Sequence, residues 1–243
     1  MGEDAYEVIV TDDSKDGIAQ NLIHANYPFV KWVKGAGKGP AANRNNGAKH
    51  AKNDWLVFID DDCLPDERLI GQYLNAIETN TECLAFEGAI CPDDARLLKK
   101  DMAECPVNTS GNWFWSANIC VNAHLFKQIG GFDENFLIAA HEDQDLYERV
   151  KVYSKVVFLP ACIVIHPVRI ASLLDKIKKM DIQFSNWMYY QKKHSSTPEN
   201  KQFLKAAGDY IRFSVREIFK LNFKTSILYA ISSIYCMIAG FKR

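Results

Sequence analysis

Residues 54–69 read DWLVFIDDDCLPDERL, in which an apolar run ends abruptly in three acids. The run is as long as a strand, and continuous apolar runs are typical of strands that are covered on both faces in a parallel sheet. Beyond Pro65, Asp66 can cap a helix that continues to about Thr79, because the apolar residues there recur at helical spacing. The stretch therefore predicts a buried strand, a polar loop and a helix.

The same order of elements occurs earlier in the chain. The β-branched run at 6–11 ends in acids at 12–13, and the alternating strand at 29–34 ends in a glycine-rich loop before helical residues 41–52. Strand, loop and helix in repetition predict an α/β domain with a mixed, mostly parallel sheet flanked by helices. Ligands of such sheets bind at the carboxyl ends of the strands, where the acids at 12–13 and 60–62 lie.

The remaining elements continue this pattern and then change to helices. We predict strands at 83–90, 114–121 and 155–166, helices at 123–129 and 142–151, and a sharp turn at Gly130-Gly131. From Ile170 onward the pattern is helical, with one break at Ser195–Pro198. We therefore expect an α/β domain at 1–168 and a helical extension at 169–243.

The composition indicates a globular protein, since 48% of the 243 residues are hydrophobic and 12% are aromatic. The 29 basic and 30 acidic side chains nearly balance, so nucleic acid is not an expected partner. The seven cysteines include no CxxC pair, which fits neither a structural zinc site nor a disulfide framework and favours a reducing compartment. The N-terminal residues lack the architecture of a signal peptide, so we expect a cytoplasmic protein.

The segment from Thr225 to Phe241 leaves the question of membrane contact open. It has about the minimum length for crossing a bilayer and has lysine and arginine on its flanks, but three serines reduce its apolar character. An interfacial helix, or one packed on the domain, is expected at least as much as a true span. The expected location therefore includes the inner face of the cell membrane as a peripheral contact.

Asp60, Asp61 and Asp62 are three consecutive carboxylates, which cannot all be buried without compensation because like charges repel and desolvation disfavours each of them. A divalent cation would compensate them, and ligands that are all oxygen suit Mg²⁺ or Mn²⁺. The alternative is a solvated acidic turn that caps the next helix. A calcium-binding EF-hand loop does not fit, because the stretch lacks the central glycine.

Three other segments carry candidate functional groups, each with a structural alternative. The acids of His141–Asp145 either cap a helix or place a carboxylate in a partly enclosed cleft, where it can act as a base. The glycine-rich loop 35–47 is not a P-loop, and it is either a flexible connection or a loop that lets Arg44 reach a diphosphate. His166 ends an apolar strand and is either a structural residue or a ligand.

Five segments together resemble family 2 of the inverting glycosyltransferases, which have the GT-A fold of nucleotide-diphospho-sugar transferases. The resemblance covers roughly residues 6–166 and depends on the order and spacing of the segments. They are YEVIVTDDSKDG (6–17), GPAANRNNGAKHAKNDWLVFIDDDCLPDERL (39–69), SANICVNAHLFKQIGGFDENF (116–136), HEDQDLYERV (141–150) and VIHP (164–167).

The resemblance implies a site for a nucleotide sugar. Asp12 and Asp13 match acids that contact the nucleotide base, and Arg44 matches a basic residue that approaches the base or the diphosphate. Asp60 matches the first acid of the DxD motif, which reaches the ribose or the metal's waters, and Asp61 is grouped with the same site.

The resemblance also implies a metal site for Mn²⁺ or Mg²⁺. Asp62 matches the later acid of the DxD motif, which binds the metal directly, and Asp60 contributes to the same site. His166 matches a histidine that joins the metal or the diphosphate in some members.

The implied reaction is an inverting sugar transfer. Asp143 matches the catalytic base, with Glu142 and Asp145 as supports. The metal neutralises the leaving nucleoside diphosphate, while Asp143 takes the proton of the acceptor hydroxyl that attacks the anomeric carbon. The expected donor is a UDP-sugar or another nucleotide sugar, and the expected acceptor is a glycan, a lipid-linked sugar or a surface polysaccharide.

The chain departs from the family at its N-terminus. Members of the family begin with a strand and a helix before the run that starts here at Tyr6, so the domain is expected to be short at this end. A sheet without this inner strand would expose unpaired backbone, which favours a homodimer. Two alternatives to the enzyme therefore remain: a non-catalytic family member that acts as a binding protein, and a metal-dependent nucleotidyltransferase or phosphotransferase.

Overall fold

The computed structural model describes residues 6–241. The strands are β1 (Val8–Asp12), β2 (Val30–Lys34), β3 (Trp55–Phe58), β4 (Leu64–Pro65), β5 (Ala85–Pro92), β6 (Ala103–Glu104), β7 (Ile119–Asn122), β8 (Val156–His166) and β9 (Arg169–Ile170). The helices are α1 (Ile18–Asn26), α2 (Pro40–His50), α3 (Leu69–Thr79), α4 (Ala123–Gln128), α5 (Glu142–Lys151), α6 (Leu173–His194), α7 (Glu199–Phe219) and α8 (Phe223–Phe241). Single 3₁₀ turns lie at Leu97–Lys99 and Ser116–Asn118.

The chain divides into two compact units. The first contains the residues up to Cys91 together with Val107–Ile165, and the second contains Pro92–Pro106 together with the residues from His166 on. The domain division expected from the sequence, at 168, stays a prediction. The sequence pattern gave no indication that residues 92–106 belong with the C-terminal helices.

The sheets of the first unit are mixed. β1 and β2 pair in parallel, with Val8 opposite Val30 and Asp12 opposite Lys34. The larger sheet has the strand order β3, β7, β5, β8, β4. In it β7 runs antiparallel to both neighbours, so β3 and β5 share one direction, and β4 is antiparallel to β8. The mixed α/β fold is therefore confirmed, with more antiparallel pairing than the repeated pattern of strand, loop and helix indicates.

Both faces of β3 are covered, which accounts for its continuous apolar sequence. Leu56 and Phe58 pack in a cluster that includes residues of α4 and α5, and Trp55 and Val57 pack on a cluster that includes the buried face of α3. Side chains of a strand alternate between the two faces of a sheet, so each cluster receives every second residue. The prediction of a strand covered on both sides is confirmed.

The sheet is interrupted between β1 and β3. Among the described strands β1 pairs with β2 and β3 pairs with β7, and the two strands belong to different sheets. Helix α2 packs on β1 and is bonded to it through Thr11, whose hydroxyl donates to Asn43 Oδ1 at 2.7 Å. Asn43 Nδ2 donates in turn to the carbonyl of Thr11 at 3.0 Å, and Asn46 Nδ2 donates to its hydroxyl. Polar side chains of α2 therefore hold β1 in place.

The second unit consists mainly of three helices. α7 and α8 form an antiparallel pair against which α6 packs, with a cluster of aromatic rings from Phe184, Trp187, Phe203 and Tyr235. Asp101 accepts hydrogen bonds from the backbone N–H groups of Lys224 and Thr225 at the start of α8. Within residues 6–241, no helix combines the length and the apolar character that crossing a bilayer requires.

Two of the differences from the sequence expectations concern the strand expected at 114–121 and the helical region after residue 170. The strand expected at 114–121 begins only at Ile119, because Ser116–Asn118 form a 3₁₀ turn, and the helical region has a second break at residues 220–222 between α7 and α8. The turn allows Asn118 to donate from Nδ2 to the carbonyls of Ala89 and Cys162 at 2.8 and 2.9 Å. Gly88 makes the room, since a Cβ there would lie 2.2 Å from Asn118 Nδ2.

We expect Asn118→Ala to lower the free energy of unfolding by roughly 2–4 kcal/mol, because it leaves two buried carbonyls and one buried hydroxyl without their partner. That hydroxyl is on Tyr73, which donates to Asn118 Oδ1 at 2.7 Å. Tyr73→Phe removes only this one bond and should cost about 1 kcal/mol. Urea unfolding curves of the two variants measure the difference, and equal losses would contradict this account of the turn.

Candidate active site

Arg44 of α2 connects the end of β3 to the start of α5. Its guanidinium donates to Asp60 Oδ1 at 2.9 Å and to Glu142 Oε1 at 3.0 Å, and it lies over the ring of Phe132 at 5.5 Å from the ring centre. Burial lowers the pKa of Arg44, but the charges of Asp143, Asp60 and Glu142 outweigh it and hold the pKa above its ordinary value. One fixed cation is therefore shared by carboxylates that lie far apart in sequence.

Asp143 lies in the first turn of α5, just after His141, whose φ of 71° is in the left-handed region. The backbone N–H and the hydroxyl of Ser116 lie near its carboxylate. Its Oδ1 atom is inaccessible to solvent and has no hydrogen-bond partner among the described residues. Burial, together with the charge of Glu142, raises the pKa of Asp143 to about 7, against the opposing effect of Arg44 and Ser116.

Glu142 is buried beside Asp143, with 2% of its surface exposed. Burial raises the pKa of Glu142, although Arg44 and the helix N-terminus oppose the shift. Acids at the first turn of a helix are favoured by its dipole, but two that are both desolvated exceed what capping requires. Excess burial of this kind is typical of functional carboxylates.

Asp12 and Asp13 at the end of β1 hold the glycine-rich loop. Asp12 accepts hydrogen bonds from Ser14 N at 2.8 Å and from Trp32 Nε1 at 3.2 Å, and the first of these contributes most to lowering its pKa. Asp13 accepts from Gly37 N at 2.7 Å. Gly35 is required here, since a Cβ would lie 2.1 Å from Asp13 Oδ1. The two acids and the loop therefore form one polar surface at the end of the strand.

Asp60, Asp61 and Asp62 form the turn after β3, closed by a hydrogen bond from Cys63 N to the carbonyl of Asp60 at 3.1 Å. Asp60 and Asp62 are half-buried and Asp61 is exposed. The first and third acids are therefore less exposed than the middle one. Their oxygen-only donors are of the kind that Mg²⁺ and Mn²⁺ prefer.

The other two predicted residues, Asp145 and His166, have hydrogen-bond partners of their own. Asp145 is fully buried and accepts hydrogen bonds from Arg149 Nε and Nη2 at 2.9 and 2.7 Å. Arg149 also donates to the carbonyl of Ile129, so the pair fixes α5 to the turn before it. His166 belongs to the second unit, where it is buried with its Nδ1 atom 2.9 Å from the carbonyl of Pro167.

The fold thus brings together four side chains that the sequence places in separate segments: Arg44, Asp60, Glu142 and Asp143. Sequence reasoning missed Ser116, the direct partner of Asp143. The signal in the sequence is weak: Ser116 begins one of the segments that carry the family resemblance, but the sequence pattern predicts that it lies within a strand.

Comparison with known proteins identifies the family. The sequence model of glycosyl transferase family 2 matches residues 2–129, just over half of the chain. The chain belongs to glycosyl transferase family 2. An uncharacterized glycosyltransferase of Haemophilus influenzae is 38% identical to this family 2 chain over 79 residues, which are 31% of the chain and 26% of that relative. The match thus spans about a quarter of the relative's length.

Known structures confirm the GT-A fold of this family 2 domain. A crystal structure of S. aureus TarS 1-349 superposes with a TM-score of 0.55 at 14% identity, covering 98% of this chain and 82% of that one. The mannosyltransferase PcManGT from Pyrobaculum calidifontis, in complex with GDP-Man and Mn²⁺, gives a TM-score of 0.52 at 14% identity, covering 97% and 66%. At this identity the likeness concerns the fold alone.

The raised pKa of Asp143 predicts a dependence of stability on pH. Between the ordinary pKa of 3.8 and about 7 the folded protein holds a proton that the unfolded chain has lost, so stability falls as pH rises through this range. Asp143→Asn keeps the carboxyl's shape without the charge. We therefore expect the variant to melt at a higher temperature than wild type at pH 8 and at a similar temperature at pH 4.

Thermal unfolding followed by circular dichroism at both pH values measures this effect. Asp61→Asn is the matched control, since Asp61 is exposed and its neutralisation should shift melting by little at either pH. If Asp143→Asn and wild type melt together at pH 8, the buried carboxylate carries no such cost.

Proposed function

We propose that the chain transfers a sugar from a nucleotide-diphosphate donor to a glycan, lipid-linked or surface-polysaccharide acceptor, with inversion and with the help of Mn²⁺ or Mg²⁺. The observation that carries the proposal is the Asp143 carboxylate, which has a pKa near 7 and an oxygen without a partner among the described residues. It lies in a cluster that Arg44 ties to the acids after β3.

The donor side of the proposed site consists of the acids that follow two strands. Asp12 and Asp13 hold the loop at 35–39 and contact the nucleotide in this proposal, with Arg44 near the diphosphate. The fold neighbour PcManGT was solved with GDP-Man and Mn²⁺, which supports a nucleotide sugar as the donor. Arg44 uses one N–H donor of Nη1 and one of Nη2 for Glu142 and Asp60, so its guanidinium is held in place as a fixed positive charge in this proposal.

The metal in this proposal is held by Asp62 and Asp60. Their half-buried oxygens on one short turn fit the hard cations Mn²⁺ and Mg²⁺. When bound, such an ion neutralises charge on the leaving diphosphate as a Lewis acid. The role of His166 as a further ligand stays a prediction.

Asp143 is the proposed general base. An effective base has a pKa near the working pH, and a value of about 7 satisfies this condition. Hydrogen bonding from Ser116 lowers the pKa of Asp143 against the effect of burial, and the residue as a whole is only half-buried, so an acceptor hydroxyl can approach its carboxylate in this proposal. Glu142 and Arg44 set the charge around it, while Asp145 supports the base only by fixing α5 through Arg149.

Asp143→Asn tests the base directly. The change should leave nucleotide binding with Mn²⁺ within about twofold and reduce transfer by at least about 10²-fold, the contribution expected of a positioned base. In wild type the rate at low substrate should rise as pH rises through about 7, because the base works only when deprotonated. A screen of nucleotide sugars by donor hydrolysis identifies the donor, and calorimetric titration with UDP and GDP measures binding. Equal loss of binding and transfer would make Asp143 structural.

Asp62→Ala tests the metal site. We expect it to abolish Mn²⁺-dependent nucleotide binding, whereas Asp61→Ala, which removes the exposed middle carboxylate, should weaken that binding far less. Calorimetric titration of each variant with UDP or GDP, with and without Mn²⁺, measures the difference. Retention of metal-dependent binding in Asp62→Ala would refute this assignment.

A further inference from the structure

A pair of stacked tryptophans lies on the loop that leads into the 3₁₀ turn of the active site. The ring centres of Trp113 and Trp115 are 4.9 Å apart with an angle of 27° between the planes. Trp115 is half-buried and packs on the apolar cluster around α3, whereas Trp113 is 45% exposed. The inner ring therefore supports the outer one, which presents its remaining surface to solvent.

The loop is clamped by a buried carboxylate. Glu87 of β5 is 2% exposed and accepts hydrogen bonds from the backbone N–H groups of Asn112, Trp113 and Phe114, at 2.5, 3.2 and 2.8 Å. Asn108 Nδ2 donates to the same carboxylate at 3.0 Å. Because three consecutive backbone N–H groups donate to one side chain, these hydrogen bonds hold the backbone of residues 112–114 in place.

That conformation is strained. Asn112 and Phe114 have φ angles of 71° and 52°, in the left-handed region that residues with a side chain rarely adopt. The burial of the Glu87 carboxyl group and the left-handed φ of Phe114 each oppose folding, and backbone strain of this kind is concentrated at functional sites. The geometry enforced here is the outward position of Trp113 between the two strained residues.

The same loop is attached to both elements that hold the proposed base. Trp115 directly precedes Ser116, whose N–H and hydroxyl lie near the Asp143 carboxylate. Phe114 stacks on Tyr147 of α5, one turn beyond Asp143, with ring centres 5.4 Å apart. Neighbouring Cα atoms are about 3.8 Å apart, so the Cα atoms of both tryptophans lie within about 11 Å of the Cα atom of Ser116.

We propose that Trp113, backed by Trp115, is the stacking platform for the sugar ring of the acceptor, and that Glu87 is the residue that positions it. A pyranose ring has a face of C–H groups that packs on the electron-rich face of an indole, while its hydroxyls remain free for hydrogen bonding. The ligand class is therefore a cyclic sugar, in contrast to an acyclic polyol. The identification of the bound sugar as the acceptor rests on the proposed function, but sugar binding to the platform can be tested without catalysis.

Saturation-transfer NMR with free sugars tests the platform. The pyranose probes are methyl β-D-glucopyranoside, methyl β-D-galactopyranoside and N-acetylglucosamine. Ribitol, an acyclic polyol, is the negative control. Wild type should saturate the ring protons of at least one pyranose and not those of ribitol. Trp113→Ala should weaken the binding by roughly tenfold, as loss of an aromatic contact implies, and Trp113→Phe should restore part of it.

Tyr153→Ala is the matched control, because Tyr153 is an aromatic residue at the other end of α5 that is 55% exposed. Circular dichroism confirms that each variant is folded. Binding of a pyranose to Trp113→Ala as strong as to wild type, equal binding of ribitol, or no pyranose binding to wild type would each overturn the platform. Titration with UDP or GDP and Mn²⁺ is independent of these outcomes, so it reports separately on the proposed function.

Glu87→Gln tests the positioning role. The amide keeps the size of the side chain but is a weaker acceptor for three N–H groups, so the loop should lose its fixed conformation. We expect the near-ultraviolet circular dichroism of the stacked indoles to fall and pyranose binding to weaken, with nucleotide binding unchanged. An unchanged indole signal with unchanged sugar binding would show that Glu87 does not position the platform.

Discussion

The structure of the active site depends on one cation that is shared by several carboxylates. Arg44 bonds to Asp60 and Glu142 and lies close enough to influence Asp143. Because the three acids come from the loop after β3 and from the start of α5, the guanidinium joins parts of the chain that have no backbone pairing with each other. Removing it would leave desolvated carboxylates opposite one another, which is more costly than the loss of any single hydrogen bond. The site is therefore assembled by charge as much as by packing.

Burial raises the pKa of Glu142 and of Asp143 and the charge of Arg44 lowers both, but the balance differs between the two acids. Glu142 is hydrogen-bonded directly to Arg44, while Asp143 is influenced by the charge of Arg44 and by Ser116. Asp145, two residues further on, is satisfied by Arg149 and has a purely local role. Three acids in one helical turn thus have three different environments, and only one of them combines burial with an unpartnered oxygen among the described residues.

Much of the first unit could be predicted from sequence, because its strands and helices carry strong periodic patterns and its acids follow strand ends. The cluster around Arg44 could not be, since contacts between residues 44, 60 and 142 depend on how the elements pack. The direction of β7 was also hidden, because a strand covered on both faces has the same apolar run in either orientation. In the sequence Glu87 is a polar residue within a predicted strand, and its neighbours do not indicate that its carboxylate accepts hydrogen bonds from three backbone N–H groups. The ligand roles of Asp12, Asp13, Asp61, Asp62 and His166 stay predictions.

The interruption between β1 and β3 has a consequence for the order in which parts of the domain open. A continuous sheet transmits stability across its strands through the hydrogen-bond ladder, but here β1 and β2 are joined to the rest of the unit largely through side chains of α2. Segments held in this way exchange their amide hydrogens by local opening, below the energy of global unfolding. We therefore expect the amide hydrogens of the part that carries Asp12 and Asp13 to exchange faster than those of the part that carries Asp143 and the tryptophan pair. A ligand that touches both would tighten the first against the second, so order gained on binding would be concentrated in β1, β2 and the glycine-rich loop.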